Sequence, residues 1–142
     1  MQDFADRPGA ALVAGGTGGI GRAVCRVLAE RGSDVAFMFR RSGAAAAALT
    51  TELSALGAKV LSLQVDLGDS AAAAGGVDAV IESFGALHTL VYAAGPHVPM
   101  LHLSRVTPAQ FRDQLVGDAG AFFNLVRPAL PRLRSRGAAS SP

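Results

Sequence analysis

The chain has 142 residues, half of them hydrophobic, and a formal net charge of +2. This length suits one domain with an apolar core. The small charge argues against a nucleic-acid-binding or membrane-surface protein, because both need a concentrated positive patch. The N-terminal stretch lacks the apolar segment of a signal peptide, and no run of about 18 apolar residues predicts a transmembrane helix. We therefore expect a cytoplasmic protein.

The first half of the chain alternates strand and helix patterns. The apolar run Ala10–Ala14 predicts a strand, and apolar residues at helical spacing from Ile20 predict a helix that Gly32 ends. The segments Val35–Phe39 and Lys59–Val65 predict two further strands, and an alanine-rich helix lies between them.

The alternation continues after the third strand. Asp69, a residue typical of N-caps, precedes a helix that runs to Phe84. Glycine destabilises helix interiors, so a break in this helix is expected at Gly75-Gly76. The segment His88–Ala93 predicts the fourth strand.

The C-terminal part predicts one long helix. Thr107-Pro108-Ala109-Gln110 is a capping box with proline at the first helical position. The helix is predicted to run toward Arg136, with bends near Gly117 and Pro128. Residues 1–136 would then form the domain, and residues 137–142, small and polar, a flexible tail.

Four strands that alternate with helices predict an α/β fold with a parallel sheet covered on both faces. Crossovers between parallel strands are right-handed, so we expect the order 3-2-1-4 of a truncated, Rossmann-like, doubly wound sheet. The C-terminal ends of the first and fourth strands would border a crevice where that order reverses.

A glycine-rich turn joins the first strand to the first helix. Gly16, Gly18 and Gly21 fit G-x-G-x-x-G, whereas Gly15, Gly19 and Gly21 fit G-x-x-x-G-x-G. Glycine lets the backbone approach a pyrophosphate, and the N–H groups at the start of the helix attract its charge. The position between a strand and a helix favours a dinucleotide site over a merely flexible turn.

The tip of the second strand indicates which dinucleotide is bound. NAD-binding folds hold the ribose 2′-OH with an acidic residue at this tip. Here the tip is followed by Arg40 and Arg41, and Asp34 lies at the opposite end of the strand. Arginine binds a 2′-phosphate, so the pattern favours NADP over NAD. Two solvated loop arginines are the alternative interpretation.

These motifs resemble the short-chain dehydrogenase/reductase family. Gly15, Gly19 and Gly21 match its nucleotide turn, although Ala14 stands where threonine is usual. Asp66-Leu67 resembles the family's acidic pair after the third strand, which implies a contact between Asp66 and the adenine; Asp66 could equally cap its own loop. The cofactor-binding residues predicted in this way, with the two arginines, are Gly15, Thr17, Gly18, Gly19, Ile20, Gly21, Arg40, Arg41, Asp66, Leu67, Ala93, Ala94 and Gly95.

Two further segments resemble the family with replacements. Tyr92-Ala93-Ala94-Gly95 resembles its Asn-Asn-Ala-Gly motif with both asparagines replaced, and Ala94 and Gly95 keep the small residues that the cofactor approaches. Asp118, followed by Ala121 and Phe123, fits its N-x-x-G-x-F helix with aspartate in place of asparagine. This replacement weakens any role of the position in proton relay.

The resemblance also implies a catalytic serine and a Tyr-x-x-x-Lys pair, which this sequence lacks. Its one tyrosine is Tyr92 and its one lysine is Lys59, whereas Ser140 and Ser141 follow no strand pattern and are interpreted as tail. We therefore predict the NADP-binding portion of an oxidoreductase acting on a carbonyl or alcohol, without catalytic residues. A catalytically silent nucleotide-binding module and an interaction module are the alternatives.

The remaining reactive residues predict little chemistry. Cys25, the only cysteine, lies in the first helix and is predicted to be a buried, inert thiol. His88, His97 and His102 have no acidic neighbour, so we predict no metal site; His97 and His102 would line a substrate entrance or face water. The substrate is predicted to be a small molecule, and a homo-oligomer could form through the final helix or the fourth strand.

Overall fold

Four strands form one parallel sheet in the computed structural model, which describes residues 2–95 and 100–139. They are β1 (Ala10–Ala14), β2 (Asp34–Phe39), β3 (Val60–Gln64) and β4 (Leu87–Tyr92). The order β3-β2-β1-β4 confirms the predicted topology and the Rossmann-like class. In register, the ends of β1, β2 and β4 lie side by side at Ala14, Met38 and Tyr92.

The helices cover the two faces of this sheet. They are α1 (Gly19–Glu30), α2 (Gly43–Ala55), α3 (Ser70–Phe84), α4 (Pro108–Leu115) and α5 (Ala121–Ala139). A 3-10 turn spans Leu103–Arg105, and a π-helical turn, Val116–Gly120, joins α4 to α5. Among the described residues, no helix is both long enough and apolar enough to span a bilayer.

Two apolar clusters form the core, one on each face of the sheet. Val13 and Phe37 pack against Cys25 of α1 and Leu49 of α2 on one face. Their strand neighbours point to the other face, because side chains alternate along a strand. There the second cluster joins the strands to α3 and α5 through Leu12, Met38, Val77, Leu125 and Ala129.

Cys25 is fully buried in the first cluster, as the sequence predicted. Burial raises the pKa of its thiol to about 12, because the thiolate would lose its hydration. The thiol therefore stays protonated and unreactive at neutral pH.

Helix α3 differs from the prediction, since it continues through Gly75-Gly76 without a break. Asp69 caps its start, with Oδ1 accepting from the backbone N–H groups of Ala71 (3.0 Å) and Ala72 (3.1 Å). Gly76 is buried, and a Cβ there would lie 2.5 Å from Cε of Met38. The glycine thus lets the helix pack closely on β2, and tertiary packing outweighs the low helix propensity.

The C-terminal part also differs from the single helix predicted. The capping box forms: Thr107 N donates to Gln110 Oε1, and Gln110 N donates to Thr107 Oγ1. The π-helical turn then interrupts the helix at Gly117, near the expected bend. Helix α5 runs unbroken through Pro128 and continues past Arg136 to Ala139, so part of the predicted tail is helical. Residues 140–142, including Ser140 and Ser141, lie outside the described residues.

The two glycines of α3 offer a matched test of this packing. We expect Gly75→Ala to stabilise the fold by about 0.5–1 kcal/mol, because a Cβ at this exposed position meets open space and alanine favours helix. Gly76→Ala should gain less, because its Cβ must displace the Met38 side chain. Urea unfolding followed by circular dichroism measures both. Equal gains would show that Gly76 is not needed for close packing.

Candidate dinucleotide-binding cleft

A cleft of about 650 Å³ opens at the C-terminal ends of the strands. Every predicted cofactor-binding residue lines it except Gly19, Ile20 and Gly21, which form the start of α1. Several of the lining residues were not assigned to the cofactor from the sequence. The full lining consists of Gly15, Thr17, Gly18, Met38, Phe39, Arg40, Arg41, Ser42, Val65, Asp66, Leu67, Gly68, Tyr92, Ala93, Ala94, Gly95, Gly117 and Ala121.

The glycine turn forms the middle of the cleft. Gly15 has a φ of +78°, and a Cβ there would lie 2.6 Å from the backbone nitrogen of Ala94. A Cβ on Gly21 would overlap the carbonyl oxygen of Gly15. At Gly19, by contrast, a Cβ would meet nothing within 4 Å. Gly15 and Gly21 are therefore required by the fold of the turn itself, whereas Gly19 borders open space.

The start of α1 is suited to an anion. Gly18 is the N-cap residue, and no side chain caps this end of the helix in the described part of the chain. Gly18 N donates instead to Gly15 O at 3.1 Å, which closes the turn. The first N–H groups of the helix are left for an external acceptor, and a phosphate satisfies them and the helix dipole together.

Arg40 and Arg41 lie at the β2 end of the cleft. Both are exposed, and neither forms an ion pair with a carboxylate among the described residues. Gln64 Nε2 donates to the carbonyl oxygen of Arg40 at 3.1 Å, which ties this backbone to β3. Asp34 lies at the other end of β2, where its Oδ1 accepts from Lys59 N at 2.9 Å. The two residues that directly follow β2 therefore both carry a positive charge.

The loop after β3 borders the same end of the cleft. Asp66 Oδ1 accepts from Gly68 N at 2.9 Å, so the loop-capping role left open by the sequence is present. Asp66 is also exposed to the cleft. Asn124 of α5 donates from Nδ2 to Leu67 O at 2.8 Å. No sequence pattern indicated Asn124, because the contact joins residues that are far apart along the chain.

The end of β4 forms the opposite wall. Ala93 N donates to Ala14 O at 2.9 Å, and the Tyr92 ring meets the Phe122 ring edge-on at a centroid distance of 5.2 Å. Burial raises the pKa of Tyr92, and the negative charge of Asp118 raises it further. Gln114 Nε2 donates to both carboxylate oxygens of Asp118, at 3.1 and 3.3 Å. Tyr92 is thus a neutral phenol at physiological pH.

Of the three histidines, His88 and His102 fall in the part of the chain that the structure describes, and neither lines the cleft. His88 lies at the far end of β4, where its Nε2 is 3.3 Å from Ser33 Oγ and its ring stacks on Phe4. His102 is exposed and does not line the cleft, and His97 lies outside the described residues. Within residues 2–95 and 100–139, no group of three or more histidine, cysteine, aspartate or glutamate residues could hold a metal ion.

The parallel sheet, the glycine turn and the cleft at the strand ends define a nucleotide-binding α/β protein of the Rossmann-like class. Comparison with protein families gives the particular family. The model for short chain dehydrogenases matches residues 9–140, and the chain belongs to this family.

Individual relatives agree with this assignment. A versicolorin reductase of Emericella nidulans is 36% identical over 128 residues, which are 89% of this chain and 48% of the relative. A short chain dehydrogenase of Burkholderia cenocepacia, solved with NADP, superposes with a TM-score of 0.81 at 34% identity, over 88% of this chain and 51% of that one. An NADH-dependent reductase, A1-R′, solved with NAD, gives 0.84 at 26% identity, over 96% and 57%. The chain therefore spans about half the length of the relatives it matches.

Two substitutions separate binding at the turn from folding of the turn. We expect Gly19→Val to abolish nucleotide binding and leave the protein folded, because the side chain would occupy open space that the pyrophosphate needs. Gly21→Val should instead prevent the native turn, since its Cβ overlaps Gly15. Calorimetric titration with NADPH and circular dichroism distinguish the two. Undiminished binding by the Gly19 variant would show that the turn is not the site.

Proposed function

We propose that this chain is the NADP-binding portion of an oxidoreductase that transfers hydride between NADP(H) and a carbonyl or alcohol substrate. The observation that carries the proposal is the exposed pair Arg40 and Arg41 beside a cleft whose centre is a glycine turn. The NADP complex of the Burkholderia cenocepacia relative supports it. The NAD complex of A1-R′ keeps NAD as the alternative. The cytoplasmic location expected from the sequence belongs to the same proposal.

Different residues of the cleft would bind different parts of the cofactor. The turn and the start of α1 would hold the pyrophosphate, and the arginines would bind the 2′-phosphate through charge-assisted hydrogen bonds. Asp66 and Leu67 would border the adenine, and the backbone from Ala93 to Gly95 would border the nicotinamide half. The bound cofactor supplies the hydride; these residues supply position and charge.

The described side chains favour binding without turnover. Hydride transfer to a carbonyl leaves an alkoxide, which needs a proton donor and electrostatic stabilisation. Tyr92 ends β4 at one edge of the sheet, whereas Lys59 precedes β3 at the other edge, with its backbone bonded to Asp34. Lys59 and Tyr92 therefore lie at opposite edges of the sheet, and Lys59 does not lower the pKa of Tyr92. That pKa is raised instead.

The arginine pair gives a direct test of cofactor choice. We expect the unmodified chain to bind NADPH more tightly than NADH, and Arg40→Ala/Arg41→Ala to remove a preference of about 1.5–3 kcal/mol, the range for hydrogen bonds to charged groups. Tyr92 is the only tyrosine and tryptophan is absent, so its emission reports on the cleft directly. Arg112→Ala, an exposed arginine of α4, is the matched control. Equal affinities in the unmodified chain would refute the assignment of NADP.

Turnover is tested separately from binding. We expect the purified chain to bind NADPH but to give no carbonyl reduction above background, because the described part of the chain has no phenol of lowered pKa to donate the proton. The measurement is the loss of NADPH absorbance with ketones, aldehydes and quinones. Sustained turnover would contradict the expectation, and its loss in Asp118→Asn or His97→Ala would identify the acid.

The interaction module remains the second candidate, and an apolar surface on the last two helices favours it. Phe111, Leu115, Val116, Phe123 and Leu130 are all exposed there. Beside them is an apolar cavity of about 310 Å³ lined by Phe122, Phe123, Val126, Arg127, Leu130, Pro131 and Arg134. Exposed apolar patches on a protein surface mark contact sites. The predicted homo-oligomer through the final helix stays a prediction, which sedimentation equilibrium over a range of concentrations tests.

A further inference from the structure

One peptide group in the loop between β3 and α3 is held from both sides. Its carbonyl oxygen, that of Leu67, accepts from Asn124 Nδ2 at 2.8 Å. Its N–H, that of Gly68, donates to Asp66 Oδ1 at 2.9 Å. The two bonds together fix the orientation of the peptide plane and, through the N–H, the side-chain rotamer of Asp66.

The side chain that holds the Leu67 carbonyl belongs to a helix that is packed in the core. Asn124 is half-buried, and its neighbours on α5, Leu125 and Ala129, are fully buried in the core cluster shared with α3 and the strands. The loop has one further backbone hydrogen bond, from Asp69 N to Asp66 O at 3.0 Å. Gly68 has no side chain to restrict rotation of the peptide, and a Cβ there would lie only 3.1 Å from Asp66 Oδ1.

We propose that Asn124 is a positioning residue for the cofactor, acting through Asp66. By holding the Leu67–Gly68 peptide, it keeps one oxygen of Asp66 on the Gly68 N–H and leaves the other available to the adenine end of the cleft. The inference rests on the proposed function, that this cleft binds NADP(H). It adds to that function a residue of α5 that does not line the cleft.

The chemistry of the contact requires an amide. Aspartate at position 124 would place an acceptor against the Leu67 carbonyl, and alanine would leave that carbonyl without its donor. In either case the Leu67–Gly68 peptide loses the restraint on its carbonyl, and the Gly68 N–H orients Asp66 less firmly. We expect Asn124→Ala and Asn124→Asp to weaken NADPH binding by about threefold to tenfold, as for the loss of one hydrogen bond.

The test is a double-mutant cycle on affinity, measured by calorimetry with NADPH and with 2′,5′-ADP, which is the adenine half alone. Asn124→Ala should weaken both ligands by the same factor in the unmodified chain. In an Asp66→Ala background it should have no further effect, because the residue through which it acts is gone. A purely structural role would lower the unfolding free energy and leave the two affinity losses additive, which would overturn the proposal.

Controls separate the possible failures. Arg132→Ala breaks the ion pair between α5 and Asp78 of α3 and should leave both affinities unchanged. If Asn124→Ala does not fold, Asn124→Asp, which keeps the size of the side chain, replaces it in the cycle. An unmodified chain that binds neither ligand refutes the proposed function itself. An unmodified chain that binds both, with an Asn124 variant of equal affinity, refutes only the role of Asn124.

Discussion

The close approach of the glycine turn to the end of β4 is the constraint on which the cleft depends. Gly15 N and Gly16 N both donate to Met38 O of β2, at 3.0 and 3.1 Å, and Ala93 N donates to Ala14 O. The turn therefore ties together the ends of β1, β2 and β4. Gly15 lies against Ala94 with no space for a Cβ, so any other residue here would push the turn away from the end of β4. The same glycine thus serves the fold and the approach of a phosphate.

The sequence predicted the sheet well because its strands are short apolar runs bounded by turn residues, a pattern that needs no tertiary information. The sequence also predicted that Arg40 and Arg41 follow the C-terminal end of β2, because the order of residues along the chain is enough to place them there. It was wrong about a break in α3, because the packing of Gly76 on Met38 is a contact between distant segments. Gly117 predicted a bend but not its π-helical geometry, and no local pattern indicated the bond from Asn124 to Leu67.

The two interpretations of Asp66 prove to be compatible. A carboxylate has two oxygens, and the loop uses Oδ1 to accept from Gly68 N. The side chain remains exposed at the cleft, so capping the loop and facing a ligand do not compete. From the sequence the two roles were alternatives, because residue type alone does not show which carboxylate oxygens accept hydrogen bonds within the fold. Here the capping bond is what gives the carboxylate a defined direction.

The surroundings of Tyr92 make its phenol a weak proton donor. A phenol in a nucleotide cleft serves as an acid when a nearby cation lowers its pKa toward neutrality. Around Tyr92 the environment acts in the opposite direction, since burial and the Asp118 carboxylate both favour the protonated form. The ring is also held edge-on by Phe122. The side chain therefore contributes shape and apolar surface to the wall of the cleft, and its raised pKa makes it a weaker acid than a free phenol.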